Sequence, residues 1–392
     1  MKVALVIERA YPQLGGAETS VLELAAALRS ADLDVDIVAA KGDPRAKHTR
    51  ILCSNISGRR TSFSRFSNVL KDFFSQNHYD IIHSVLPFSF ADVYQPRGGS
   101  YPEAIARNTA SYPNRCTRFY KKLTACVNWR RNSLAKAERS LCEDFSGPIV
   151  AALSDYVAKQ FKTAYNLPDE RLIVIRNGVL THKTADLMKK QRLCSQIMAK
   201  LGIKESDQPV FFLFVANNFR LKGLEMLIRA MQMTAARNPE LSPFLIVVGS
   251  GNINPYRRLA QRLDTERRVI FMGHLGDIKN ILGMSHAAVL PTFYDPCSRF
   301  ILEALAADKP VITTKFNGAS EMFVNNRHGR IIDIPENIPA LAEAIGHFTD
   351  FQTINKAATA IVQDNIREQI SVSRVAKELK ILYQSIVERR SK

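Results

Sequence analysis

The sequence predicts an α/β protein made of two doubly wound domains, each with a parallel sheet. Three observations point there. Strand-length apolar runs alternate with helix-period segments from one end of the chain to the other, which favours parallel α/β layers over an all-α or all-β fold. The stretch up to Ala40 reads as strand, Gly-Gly turn, helix and strand, which is a βαβ unit. At 392 residues the chain is long enough for two domains with separate cores.

In chain order, Lys2–Ile7 is a first strand, stopped by Glu8 and Arg9 and too short for the apolar core of a signal peptide. Gly15-Gly16-Ala17-Glu18-Thr19 then leads into a helix whose apolar side is Val21, Leu22, Leu24, Ala25 and Leu28, and Val35–Ala40 is the next strand. A Gly pair at such a turn lets backbone approach a phosphate, and it serves a plain tight turn equally well. Asp80–Leu86 is a further strand carrying His83, a position that suits a structural as well as a functional imidazole. Ala91–Ser100 is a loop rich in turn formers. Its Arg97, beside Gly98 and Gly99, suits either contact with a phosphate or ligand oxygen, or solvent.

Residues 107–139 hold nine Lys and Arg against one acid, Glu138, with Phe119, Tyr120, Leu123, Val127 and the only tryptophan, Trp129, interleaved. That pattern fits a solvated helix and an anionic surface equally. Leu172–Val179 closes the first domain, and a polar linker helix from about 184 to 201 leads to the second. There Val210–Ala216 is a strand that hands over through Asn217–Gly223 to a helix with Leu224, Leu227, Ile228 and Met231 on one side. Arg220 and Lys222 lie in that handover, the usual place for a phosphate in a doubly wound sheet. Phe244–Gly251 and Val269–Leu275 are strands ending at glycines, Phe316–Glu321 is a Gly-containing turn, and Val375, Leu379, Leu382 and Ile386 mark a last helix.

The stretch from Pro291 to Ile312 carries the densest chemistry. It reads as a strand exit, a turn, a helix beginning near Pro296 and a second buried strand. Asp295 suits the N-cap and Pro296 the first helical position. Glu303 then sits about seven residues into the helix, ~10 Å along its axis. Two carboxylates at different depths beside an anion-attracting helix N-terminus suit a diphosphate flanked by two polyols. On these residues alone, a capping Asp295 and a solvated Glu303 fit as well.

Composition narrows the classes. The longest apolar run, Val210–Ala216, is far short of a membrane span. The six cysteines show no C-x-x-C spacing, so reduced thiols in a cytoplasmic protein are expected. A net charge of +17 calls for an anionic partner or surface without saying which.

The acidic pair separated by seven residues, Asp295 and Glu303, resembles the signature of the retaining, nucleotide-sugar-dependent glycosyltransferases of family 4, which have the GT-B fold. The first acid is Asp where Glu is usual, and Asp308 stands where the family often has Gly. The resemblance runs over nearly the whole chain and is strongest from 208 to 332. Within the family it is nearest to the lipopolysaccharide-core glucosyltransferases, on Ala91-Asp92-Val93-Tyr94, Leu153-Ser154-Asp155, the Asn217–Gly223 loop and the basic segment near 114–139. Arg97-Gly98-Gly99 departs from them, which puts the acceptor in question.

The resemblance implies two Rossmann-like domains facing across a cleft: an acceptor-side domain at 1–178, a nucleotide-sugar domain at 179–371, and a C-terminal helix at 372–392 packed back on the first. It implies that Asp295 meets the donor sugar's hydroxyls and Glu303 the nucleotide ribose. Arg220 and Lys222 would neutralise the diphosphate, with Gly15, Gly16 and the helix start at Pro296, Cys297 and Ser298 nearby. Gly273, His274 and Leu275 would hold the base, largely through backbone, and His83 and Arg97 would lie on the acceptor side. The expected reaction moves a hexose, from a donor of the UDP-glucose type, to a lipopolysaccharide-core or other lipid-linked glycan. No metal is required, and an anionic membrane surface would meet residues 107–139. A GT-B sugar-nucleotide epimerase and a basic nucleic-acid- or membrane-binding protein remain as alternatives. Against nucleic acid, the charge is concentrated in one segment and no RNA-binding or helix-turn-helix pattern is apparent.

Overall fold

The computed structural model describes residues 1–11, 15–53, 60–182, 185–238, 240–241 and 243–391, the side chains of 125, 126 and 205 apart. The chain folds as two compact units. One comprises Met1–Thr109, Pro113–Val179 and Ser371–Lys392, and the other Ala110–Tyr112 with Leu180–Ile370.

The first unit holds β1 (Lys2–Ala10), α1 (Gly16–Arg29), β2 (Asp34–Gly42), β3 (Thr49–Ile51), α2 (Phe63–Gln76), β4 (Ile81–Ser84), β5 (Val93–Tyr94), α3 (Tyr101–Ala110), α4 (Arg115–Leu123), α5 (Trp129–Glu143), β6 (Ile149–Ala152), α6 (Asp155–Tyr165) and β7 (Leu172–Val174). Its seven strands run parallel in the order β3-β2-β1-β4-β5-β6-β7. Because a parallel sheet is covered on both faces, β1 is a continuous apolar run rather than an alternating one. One face packs Leu5 and Val35 against Leu24 and Leu28 of α1 and against Val375, Leu379 and Tyr383 near the C-terminus. The opposite face packs Val6 and Val38 against Phe66, Leu70 and Phe88. The two-residue β5, too short to show any period, lies inside a stretch that reads as loop in the sequence.

The second unit holds α7 (Leu187–Leu201), β8 (Val210–Val215), α8 (Leu224–Arg237), β9 (Pro243–Val248), α9 (Asn254–Arg262), β10 (Val269–Gly273), α10 (Lys279–Met284), β11 (Ala287–Leu290), α11 (Arg299–Ala306), β12 (Val311–Thr314), β13 (Gly329–Ile332), α12 (Ile338–His347), α13 (Phe351–Gln363) and α14 (Ile366–Gln369). The last helix, α15 (Val372–Arg390), is counted with the first unit. The six strands are parallel in the order β10-β9-β8-β11-β12-β13. Chain direction across the sheet reverses between β8 and β11, and in the first unit between β1 and β4. In such sheets ligands bind outside the carboxyl ends of the strands at that reversal. The turns that follow β8 and β11 are therefore where chemistry is expected.

Two buried charges fix α5. Glu138, fully buried, accepts hydrogen bonds from the Tyr94 hydroxyl (2.8 Å), the Tyr165 hydroxyl (2.6 Å) and the Tyr101 N–H (2.8 Å). Arg171 donates to the carbonyls of Leu141, Cys142 and Asp144 at the C-terminal end of α5, and to Pro148. A buried ion is tolerated only when its hydrogen bonds are met in this way.

Candidate functional site

The turn after β8 is wired to the turn after β11. Leu221 N–H donates to Asn218 Oδ1 (3.2 Å), and the Leu221 carbonyl accepts from Phe293 N–H (2.9 Å) and Thr292 Oγ1 (3.2 Å). Gly223 sits before α8 with φ 78°, and a Cβ there would lie 2.0 Å from the Pro291 carbonyl oxygen, so only glycine allows the two turns to close on each other. Across this seam Lys222 Nζ donates to Asp295 Oδ2 and to the Tyr294 carbonyl, both at 2.7 Å. Both side chains of the ion pair are less than one-fifth exposed.

Arg220, two residues before Lys222, goes elsewhere. Its guanidinium stacks on the ring of Tyr112 and donates to Ser111 Oγ. Burial lowers its pKa, while Tyr112 and Tyr256 oppose that shift.

The expectation that Asp295 caps a helix starting near Pro296 is corrected: α11 begins at Arg299, with Ser298 in the cap position. The reason lies across the sheet. Asp295 is still extended and pairs with Asn317, its N–H bonding to the Phe316 carbonyl (2.8 Å) and its own carbonyl accepting from Gly318 N–H (3.0 Å). Asn317, fully buried, also accepts from Ser298 N–H (3.0 Å) and so holds the entry to α11 in place of a side-chain cap. Cys297 and Ser298 are buried in this entry. Glu303 is thus the fifth residue of α11, ~6 Å along it rather than ~10 Å. It is held by Arg299 of the preceding turn at 2.8 Å. Asp308 adopts φ 56°, a conformation natural to glycine and tolerated by Asp, and pairs with Arg367.

Gly273 ends β10 with φ 71°, and its carbonyl accepts from Gly249 N–H (2.8 Å), while His274 is exposed and Leu275 half-buried. The turns after β8, β9, β10 and β11 therefore lie at one end of this sheet, as parallel pairing requires.

In the first unit, Gly15 and Gly16 stand at the start of α1, where Glu18 pairs with Arg9 at 2.9 Å. His83 is the penultimate residue of β4, and its side chain faces the interior. It is fully buried in β4, its Nδ1 2.5 Å from the Tyr383 hydroxyl, and burial, with the charge of Arg97 adding, pushes its pKa down to about 3. It is a neutral imidazole at any physiological pH. Arg97 Nη1 donates to Ser20 Oγ (2.7 Å) and Asn177 Oδ1 (2.9 Å).

Three residues enter the site unannounced. Arg299 had a local signal, its i,i+4 spacing to Glu303. Asn317 and Tyr112 had none, since their partners lie far away in sequence.

Residues 196–361 match the family model for group 1 glycosyl transferases, and residues 14–183 match that for glycosyltransferase family 4. Two glycosyltransferase family models thus match one after the other, each over less than half of the chain. Lipopolysaccharide glucosyltransferase WaaG of Escherichia coli is 24% identical over 259 residues, 65% of this chain and 64% of that one. The chain thus spans somewhat under two thirds of that relative's length. A crystal structure of WaaG superposes with a TM-score of 0.69 at 19% identity, covering 99% of this chain and 98% of that one. Sucrose-phosphate synthase of Thermosynechococcus elongatus superposes with a TM-score of 0.76 at 18% identity over 99% of both chains. Anabaena HepE, solved in complex with UDP-glucose, superposes at 0.70 and 17%, covering 98% of this chain and 100% of that one. The two parallel-sheet units are those of the GT-B fold. The Lys222–Asp295 and Arg299–Glu303 pairs lie with Arg220 at and just beyond the turns that follow β8 and β11.

Proposed function

We propose that this chain transfers a hexose from a nucleotide diphosphate sugar of the UDP-glucose type to a lipopolysaccharide-core or other lipid-linked glycan, with retention of anomeric configuration. The observation that carries the reading is the Lys222–Asp295 pair, fixed between the turns after β8 and β11. A cation and an acid at 2.7 Å fit a substrate that brings a leaving phosphate and a hydroxyl-bearing ring to one place. WaaG, by name, is a glucosyltransferase of lipopolysaccharide, and HepE was solved with UDP-glucose.

The leaving diphosphate gains charge as the glycosidic bond breaks. Lys222, Arg220 and the N-terminus of α11 are the groups that meet it, and stabilising developing charge is the largest catalytic lever available to such a site. The departing phosphate oxygen takes the acceptor's proton on the same face, so retention needs no enzymic nucleophile. Asp295 orients the hexose hydroxyls and Glu303 the ribose. No metal is needed in this scheme. Arg97 and, behind it, His83 belong to the acceptor side.

No described helix is long and apolar enough to cross a membrane. In this reading the basic α4–α5 segment supplies a peripheral contact with the cytoplasmic face of the inner membrane, beside a lipid-linked acceptor. Phe119, Tyr120, Leu123, Val127 and Trp129 are all exposed, Trp129 by 85%. Aromatic and aliphatic side chains among cations are what an anionic interface accommodates.

Thermal shift with UDP-, GDP- and ADP-sugars tests the donor, since a ligand of the native state raises the apparent Tm. A shift with UDP-glucose, followed by an α-linked product with a lipid-linked acceptor, is expected. A product formed without acceptor would replace the reading with epimerisation, and no shift with any sugar nucleotide would overturn it.

A further inference from the structure

Arg220 owes its position to residues outside its own turn. Ala110–Tyr112 folds with the second unit, although its neighbours on both sides belong to the first. The guanidinium carbon of Arg220 lies 3.6 Å from the centre of the Tyr112 ring, well inside the ~6 Å reach of a cation–π contact, and Nη1 donates to Ser111 Oγ. A guanidinium carries its five N–H donors in its own plane. Stacking on one face therefore orients the fork without consuming its hydrogen-bonding capacity. Tyr256 of α9 adds a second ring to the neighbourhood, packed edge-on to Phe219.

Building on the glycosyl-transfer reading, we propose that Tyr112 is a positioning residue: its ring holds the Arg220 guanidinium ready for the leaving diphosphate. A long side chain already ordered in the resting enzyme has less rotamer freedom to lose as charge develops, so the benefit appears in turnover rather than in donor binding. Serine at 111 acts in the same sense, from the edge of the guanidinium.

The experiment measures consumption of UDP-, GDP- and ADP-glucose by the full chain and by a set of variants. Tyr112→Ala and Tyr112→Leu, which keeps bulk without a π face, should each lower kcat by about tenfold with KM moving by less than about threefold. Tyr112→Phe, which keeps the ring, should restore kcat to within about twofold. In an Arg220→Ala background, Tyr112→Leu should have no further effect, because residues acting through one group are non-additive. Wild-type turnover in Tyr112→Leu overturns the assignment, and so does an equal loss with or without Arg220, which would mean that Tyr112 only supports the fold. If the unaltered protein consumes no sugar nucleotide, glycosyl transfer itself is overturned and this assignment falls with it.

Discussion

Lys222 Nζ lies 2.7 Å from Asp295 Oδ2, so the cation of one strand-to-helix turn is fixed by the acid of another. Both side chains are largely withdrawn from water, where charge interactions are screened less. Because leaving-group charge grows toward the transition state, Lys222→Ala should reduce kcat by about 100-fold and change KM by less than about fivefold. Steady-state kinetics with the donor identified by thermal shift checks it. A rise in KM alone would make Lys222 a ground-state binding group.

Glu303 is held by Arg299 in the first turns of α11, an i,i+4 pair with the cation N-terminal to the acid. Glu303→Gln keeps the shape and removes the charge offered to the ribose hydroxyls. Charge-assisted bonds of ~1.5–3 kcal/mol correspond to donor affinity lower by one to two decades. Calorimetric titration with the nucleoside diphosphate measures this. Unchanged affinity removes Glu303 from the site.

Much of this was legible in the sequence, and the failures have physical causes. Buried parallel strands are written as continuous apolar runs, so β1, β2, β8 and β9 stood out and with them the turns that carry Arg220 and Lys222. The start of α11 did not. Asp-Pro is a good local cap signal, but pairing of Asp295 with Asn317 keeps that residue extended. His83 lies on a strand too short to reveal its phase, and one of the groups that cover it, Tyr383, is 300 residues away. Tyr112 gave no sign of its role because its partner Arg220 is distant in sequence and aromatic residues near basic segments are common.

The α4–α5 surface should bind anionic vesicles and release them with salt. Each cation near such a surface contributes about 1 kcal/mol, and the interaction decays within a Debye length. The structure refines which cations to alter: Arg130 turns inward to Glu8 (2.6 Å) and the Thr61 carbonyl (2.7 Å), whereas Arg115, Lys121 and Lys122 are exposed. Reversing these three to Glu should abolish sedimentation with phosphatidylglycerol-containing liposomes, and Trp129→Ala should weaken it by a few-fold, while Tm stays within ~2 °C of wild type. Binding that ignores lipid charge, or survives the triple reversal, would sink the proposal.

The same segment stands on a titrating group. Burial raises the pKa of Glu138 from 4.5 to about 6, against the opposing hydrogen bonds from Tyr165, Tyr101 and Tyr94. The folded state therefore binds the proton more tightly than the unfolded chain does. Above about pH 6 the carboxylate is ionised in both states and its burial costs the fold about 2 kcal/mol; the cost fades as pH falls through 6 and is gone below the unfolded value of 4.5. Protection of the α5 amides between Leu134 and Cys142 from hydrogen exchange should accordingly gain a contribution between pH 7 and pH 5, once intrinsic exchange rates are divided out. Glu138→Gln has no proton to bind and should lack that contribution, its protection relative to wild type falling about eightfold over the interval. Glu138→Ala should lose protection at every pH, because it strands the Tyr94 and Tyr165 hydroxyls and the Tyr101 N–H inside the core. If the Gln variant and the wild type follow the same pH course, Glu138 does not titrate in this range and the hydrogen bonds hold it ionised.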